Sequence, residues 1–176
     1  AKNGAIFALF PELGLSAYSN EDLFHQDALL QSTLAAIRSV AQATRALNLI
    51  IVVGAPLQVN TRLFNCGIVL YRGSIRGVAV KTYLPTYREF YEGRQFSSAE
   101  ENLSPTIELC GQKDIPFGAD IIFNVDNIKN FNFFLEVCED VWVPIPPSSF
   151  AAMAGATVIG NLSASNITVG KAEYRH

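Results

Sequence analysis

The chain has 176 residues, 49% of them hydrophobic and 16% charged, with a net charge of −3 at pH 7. That balance excludes a disordered polymer and suffices for one domain with a sizeable core. The mild acidity points away from nucleic acid or an anionic membrane as partner, and no apolar run reaches bilayer-spanning length.

Three widely spaced cysteines, Cys66, Cys110 and Cys138, read as reduced thiols of an intracellular protein rather than a disulfide framework. Two histidines, His25 and His176, are too few for a histidine-rich zinc site. No signal-peptide pattern opens the chain.

Ala5 to Phe10 reads as a short strand, followed at once by Pro11 and Glu12. Asn20 to Asp22 offer cap candidates. His25 to Leu47 then carries Leu30, Leu34, Ile37, Val40, Ala41, Thr44 and Leu47 at helical period. Leu49 to Ala55 is apolar and β-branched, a buried strand. Asn60 to Leu63 turns the chain. Phe64 to Tyr71 and Ile75 to Val80 form a hairpin around Arg72-Gly73-Ser74. Thr82 to about Pro105 is a long loop without period, and loops of that length in compact domains tend to be functional or disordered. Ile121 to Val125 and Phe131 to Val137 are further strands. Pro146-Pro147-Ser148-Ser149 starts a short helix over Phe150 to Ala154, and Thr157 to Asn161 is a last strand.

The alternation of strand, helix and hairpins predicts a layered α/β fold with a mixed sheet. Both ends read as cut: there is no room before the first strand for a preceding strand and helix, and the polar stretch Asn161 to His176 closes without an element.

Glu12, Lys81 and Cys138 each follow an apolar strand run, and strand ends in α/β folds are where ligand sites gather. Singly, each has an ordinary explanation: a turn carboxylate, a strand-end charge, a core thiol. Together they form a coherent chemical set. A thiolate attacks a carbonyl, a carboxylate takes the thiol proton, and an ammonium lowers the thiol pKa and steadies the oxyanion. Cys66 lies inside a strand run and Cys110 before Gly111, and both read as structural.

Three blocks resemble the nitrilase-like carbon-nitrogen hydrolases. They are Phe10-Pro11-Glu12-Leu13-Gly14-Leu15-Ser16-Ala17-Tyr18, then Lys81-Thr82-Tyr83-Leu84-Pro85-Thr86-Tyr87-Arg88-Glu89-Phe90-Tyr91-Glu92, then Glu136-Val137-Cys138-Glu139-Asp140-Val141-Trp142 running on to Ser149. The second and third, in this order, are similar to the glutaminase domains of glutamine-dependent NAD synthetases. The resemblance covers essentially the whole chain. It implies a four-layer α-β-β-α sandwich of the nitrilase type, incomplete at both ends here. It implies Cys138 as nucleophile on the side-chain amide of glutamine, Glu12 as general base, Lys81 as the lysine steadying the tetrahedral intermediate, and Glu92 as a second glutamate positioning that lysine. The backbone N–H of Glu139 would serve the oxyanion. Tyr87, Glu139 and Ser165 would contact glutamine, and Lys171 would meet its α-carboxylate as a point charge rather than a fork.

No Gly-rich phosphate loop occurs, so the resemblance implies no cofactor in this segment. ATP and Mg2+ would belong to a synthetase domain of the same full-length protein, in a cytoplasmic homo-oligomer. The rival enzyme is a free-standing nitrilase-like amidase acting on another small amide. The non-enzymatic rival, a structural or regulatory domain, would be favoured by loss of a catalytic residue, and Glu12, Lys81 and Cys138 are all present.

Overall fold

In a computed structural model of the chain, which describes residues 3–174, nine strands form two open sheets with a helix on each outer side. Residues 1, 2, 175 and 176, among them His176, lie outside the described part. Strand β1 (Phe7–Leu9) leads through a single 3-10 turn, Glu21–His25, to helix α1 (Asp27–Thr44). Next come β2 (Ile50–Val59), β3 (Arg62–Tyr71), β4 (Ser74–Val80), β5 (Thr106–Leu109) and β6 (Gln112–Gly118). The chain continues with β7 (Ile122–Asn124), β8 (Asn132–Val137), α2 (Pro147–Met153), β9 (Val158–Leu162) and a one-turn helix α3 (Lys171–Tyr174).

The larger sheet has the order β1-β2-β3-β4-β6-β5, and the smaller β7-β8-β9. Pairing is mixed, as expected: β1–β2, β4–β6 and β8–β9 are parallel, and the remaining pairs are antiparallel. Strand β8 faces β3 and β4 across the interior, α1 packs on β2 and β3, and α2 packs on β8. The layers therefore run α-β-β-α.

The apolar runs owe their continuity to burial on both faces. Along β2, Ile51, Val53, Ala55 and Leu57 face α1 with Ile37 and Ala41, while Val52 faces the small sheet. Along β3, Phe64, Cys66, Ile68 and Leu70 take the helix side and Val69 the inter-sheet side. Val69 and Ala79 meet Phe133, Leu135, Val137 and Leu162 there. Close sheet contact needs small residues: a Cβ on Gly67 would stand 3.1 Å from Leu162.

Several boundaries differ from the sequence reading. The helix expected over His25 to Leu47 is shorter because Gln26 is extended (φ −83°, ψ 125°), which detaches the turn carrying His25. The turn expected over Asn60 to Leu63 is tighter, with Asn60 at φ 55° and β3 starting at Arg62. The hairpin at Arg72-Gly73 is as expected, and both residues have positive φ (49° and 81°), which suits a two-residue turn. The hairpin β5–β6 is absent from the sequence reading. Its turn, Cys110-Gly111, has the same left-handed pair (54° and 81°), but its strands are short and polar, with Pro116 in β6.

Candidate active site

The two sheets bring their strand ends together at one end of the inter-sheet layer. Lys81 directly follows β4, and Cys138 directly follows β8. By the two-residue period, Lys81 shares the inter-sheet side with Ala79, and Asn65 shares it with Val69. Glu12 arrives on the turn after β1. That turn is laid against β2: Phe10 N–H donates to Val52 O at 2.9 Å, and Leu15 N–H donates to Gly54 O at 3.0 Å.

Lys81 is the centre of the cluster. Its Nζ donates to Glu12 Oε1 at 2.6 Å and to Glu92 Oε1 at 2.8 Å. Glu92 Oε2 is also 2.7 Å away, an ionic contact without hydrogen-bond geometry. The Glu12 and Lys81 side chains are 0% exposed, and that of Glu92 is 6%. Burial works against the ammonium charge, but the two carboxylates together hold Lys81 above its ordinary pKa. Burial raises the Glu92 carboxyl against the pull of Lys81, and Glu12 adds to the rise.

Glu12 receives two further donors: Asn65 Nδ2 reaches Oε1 at 2.8 Å, and Ala164 N–H reaches Oε2 at 3.2 Å. Tyr18 donates to Glu92 Oε1 at 2.7 Å. Burial, then the Glu92 carboxylate, pushes the Tyr18 phenol far above its ordinary range, so it stays a donor.

Cys138 opens a single 3-10 turn, Cys138–Val141, and has φ 47°. This left-handed backbone is uncommon for a residue with a Cβ and is held only where its surroundings over-determine it. Asp140 does the holding. Its Oδ2 accepts the N–H of Val137 at 2.9 Å, and its Oδ1 accepts those of Thr82 and Tyr83 at 3.2 and 2.8 Å. One buried carboxylate thus ties the turn of Cys138 to the segment following Lys81. The sulfur is half-buried. It accepts from Ser163 Oγ at 3.4 Å and lies 3.9 Å from Ser165 Oγ. Burial, and then the Glu12 carboxylate, raise the Cys138 thiol pKa against the hydrogen bond from Ser163 and the charge of Lys81. The thiol is therefore neutral at rest.

Such a centre combines a thiol, a carboxylate within its field and a fixed ammonium, the components of thiol-dependent cleavage of a carbon-nitrogen bond. The sequence matches the carbon-nitrogen hydrolase profile over residues 1–176. The chain belongs to the carbon-nitrogen hydrolase family.

This carbon-nitrogen hydrolase is similar to the glutamine-dependent NAD(+) synthetase of Mycobacterium tuberculosis, with 46% identity over 98% of this chain and 25% of that protein. It is also similar to the glutamine-dependent NAD(+) synthetase of Aquifex aeolicus, with 33% identity over 94% of this chain and 25% of that protein. Among solved structures, the glutamine-dependent NAD(+) synthetase from Cytophaga hutchinsonii superposes with a TM-score of 0.82 and 28% identity, over 99% of this chain and 27% of that one. The chain thus spans about a quarter of the length of the curated relatives it matches.

Of the remaining candidates of this carbon-nitrogen hydrolase, Glu139 directly follows Cys138 and Ser165 stands beside its sulfur. Tyr87 is exposed, and its hydroxyl lies 2.9 Å from both Glu139 carboxylate oxygens. Lys171 stands at the start of α3 and donates to Asn166 Oδ1, while the Asn166 amide donates to Glu89. Ser165 is 2.7 Å from Ser163. Four participants are missing from the sequence reading: Tyr18, Asn65, Asp140 and Ser163. Tyr18 and Asp140 lie within the first and third resembling blocks without an assigned role, and Asn65 leaves a trace as a polar residue within an apolar strand. Among the described residues, no group of three or more His, Cys, Asp or Glu side chains gathers as metal ligands would, and no helix is long and apolar enough to cross a membrane.

Proposed function

We propose that this chain is the glutaminase portion of a glutamine-dependent NAD+ synthetase, with Cys138 as nucleophile, Glu12 as general base, Lys81 as oxyanion stabiliser and Glu92 as the residue that positions Lys81. The observation that carries the chemistry is the buried Glu12–Lys81–Glu92 cluster beside the half-buried thiol. The similarity to curated glutamine-dependent NAD(+) synthetases supports glutamine as substrate.

The thiol is neutral at rest, so attack is coupled to proton transfer. Glu12 takes the thiol proton as a sulfur electron pair forms the S–C bond, and the carbonyl π pair moves to oxygen. An ammonium has three N–H donors. The carboxylates draw on those of Lys81 that face them, and the remaining one, with the backbone N–H of Glu139, serves the oxyanion. Collapse breaks the C–N bond while Glu12 returns its proton to nitrogen, and ammonia leaves. Water then attacks the thioester, giving a proton to Glu12. Glutamate departs as the C–S bond breaks and the sulfur recovers the proton. Glu139 and Lys171 offer opposite charges to the α-amino and α-carboxylate groups of the substrate, with Tyr87 and Ser165 beside them.

The ammonia is passed to an ATP-dependent synthetase domain of the same full-length protein, which amidates nicotinic acid adenine dinucleotide with ATP and Mg2+. That protein works in the cytoplasm as a homo-oligomer. The test is release of glutamate and ammonia from glutamine, with Cys138→Ala as control, then ATP-dependent NAD formation by the full-length protein. Cysteine-dependent turnover in both assays is expected. Hydrolysis of other small amides with none of glutamine would replace this reading by a free-standing amidase.

A further inference from the structure

The two residues that follow β9, Ser163 and Ala164, hold both reacting groups at once. The Ser163 hydroxyl donates to the Cys138 sulfur at 3.4 Å, and the Ala164 N–H donates to Glu12 Oε2 at 3.2 Å. Their placement follows from strand register. Leu162 pairs with Val137 across the parallel β8–β9 ladder, so the next residue on each strand, Ser163 and Cys138, emerges on the same level. Asn161 reinforces that level, its Nδ2 donating to Cys138 O at 3.3 Å.

A hydroxyl carries one proton. With Ser163 donating to sulfur, its 2.7 Å contact with Ser165 has Ser165 as donor. Ser163 is thereby oriented toward the sulfur by its neighbour. We propose that Ser163 is a further catalytic residue, whose hydroxyl holds the Cys138 sulfur and stabilises the negative charge that develops on it as Glu12 takes the thiol proton.

The site needs such a donor. Burial and the Glu12 carboxylate both oppose ionisation of Cys138, and Lys81 is engaged by two carboxylates. A hydrogen bond that strengthens as charge develops on sulfur lowers the barrier to attack without requiring a thiolate at rest. The inference rests on Cys138 as nucleophile and adds a residue to which the sequence reading assigns no role.

The test is the pH dependence of Cys138 alkylation by iodoacetamide in the full-length protein, with the Cys138 peptide followed by mass spectrometry, alongside glutamine hydrolysis. For Ser163→Ala the alkylation midpoint is expected to rise by about one pH unit, as loss of a hydrogen bond to a charged group implies. Alkylation at neutral pH then slows about ten-fold, and kcat falls about ten-fold with KM within about two-fold. Ser163→Thr, which keeps the hydroxyl, is expected to restore both to within about three-fold of the parent. An alanine variant with the parent's near-ultraviolet circular dichroism and an unmoved midpoint overturns the proposal. So does a threonine variant that behaves like alanine. If the alanine variant loses its fold, Ser163→Gly makes the same comparison. Alkylation needs no substrate, so a shifted midpoint in a protein that leaves glutamine intact would uphold Ser163 and sink the glutaminase reading instead.

Discussion

Gly54 lies directly beneath the turn that carries Glu12: a Cβ at this position would stand 2.3 Å from Pro11 O and 2.4 Å from Leu13 N. Backbone, not a flexible side chain, fills that space, so the turn itself would have to move. Gly54→Ala is expected to cost about 1–3 kcal/mol of stability, the scale of overpacking. It should also lower kcat for the proposed glutamine hydrolysis by about 100-fold, because a displacement of about 1 Å at the proposed base costs that much. Urea denaturation and steady-state kinetics on the same preparation check both.

Glu12→Gln should separate thiol reactivity from turnover. Apart from burial, the Glu12 carboxylate is what raises the Cys138 thiol pKa, so removing its charge lets the thiol ionise at lower pH. The expected result is a downward shift of the Cys138 alkylation midpoint with kcat reduced by about 100-fold or more through loss of the proposed base. An upward or absent shift would show that Glu12 does not act on the sulfur through its charge.

Asn65 is fully buried and donates to the same Glu12 oxygen as Lys81. Asn65→Ala strips a donor from a carboxylate whose side chain is fully buried. A loss of about 1–3 kcal/mol in stability and of about ten-fold in kcat is expected. Thermal unfolding and ammonia release measure them, and a variant equal to the parent in both would remove Asn65 from the site.

Asp140 makes the site acid-sensitive. Burial pushes its carboxyl up to about 6, against the three backbone N–H groups and Lys81 that favour the anion. Protonation turns an acceptor toward donors and loosens the tether between the Cys138 turn and the segment after Lys81. kcat/KM should therefore fall below about pH 6, and Asp140→Asn should flatten that limb while lowering activity at neutral pH. Stability runs the other way for this group. Its folded-state pKa is raised, so its contribution is full below the unfolded value near 4 and is lost as pH rises through about 6. Urea midpoints between pH 4 and 7, parent against Asp140→Asn, read that slope.

The sequence by itself determines the long elements and the strand-end positions of Glu12, Lys81 and Cys138. Hydrophobic period is a local property, and a polar residue ending an apolar strand marks a layer's edge. It leaves β5–β6 unmarked because that hairpin lies at the edge of the sheet, where polar residues and Pro116 blunt the alternation. The partners of the site belong to tertiary structure alone. Glu12 is bonded from positions 53, 69 and 152 residues away, by Asn65, Lys81 and Ala164. No local pattern records such distances. Strand pairing and the meeting of the two sheets set them, and with them whether a thiol, a carboxylate and an ammonium lie in one place or in three.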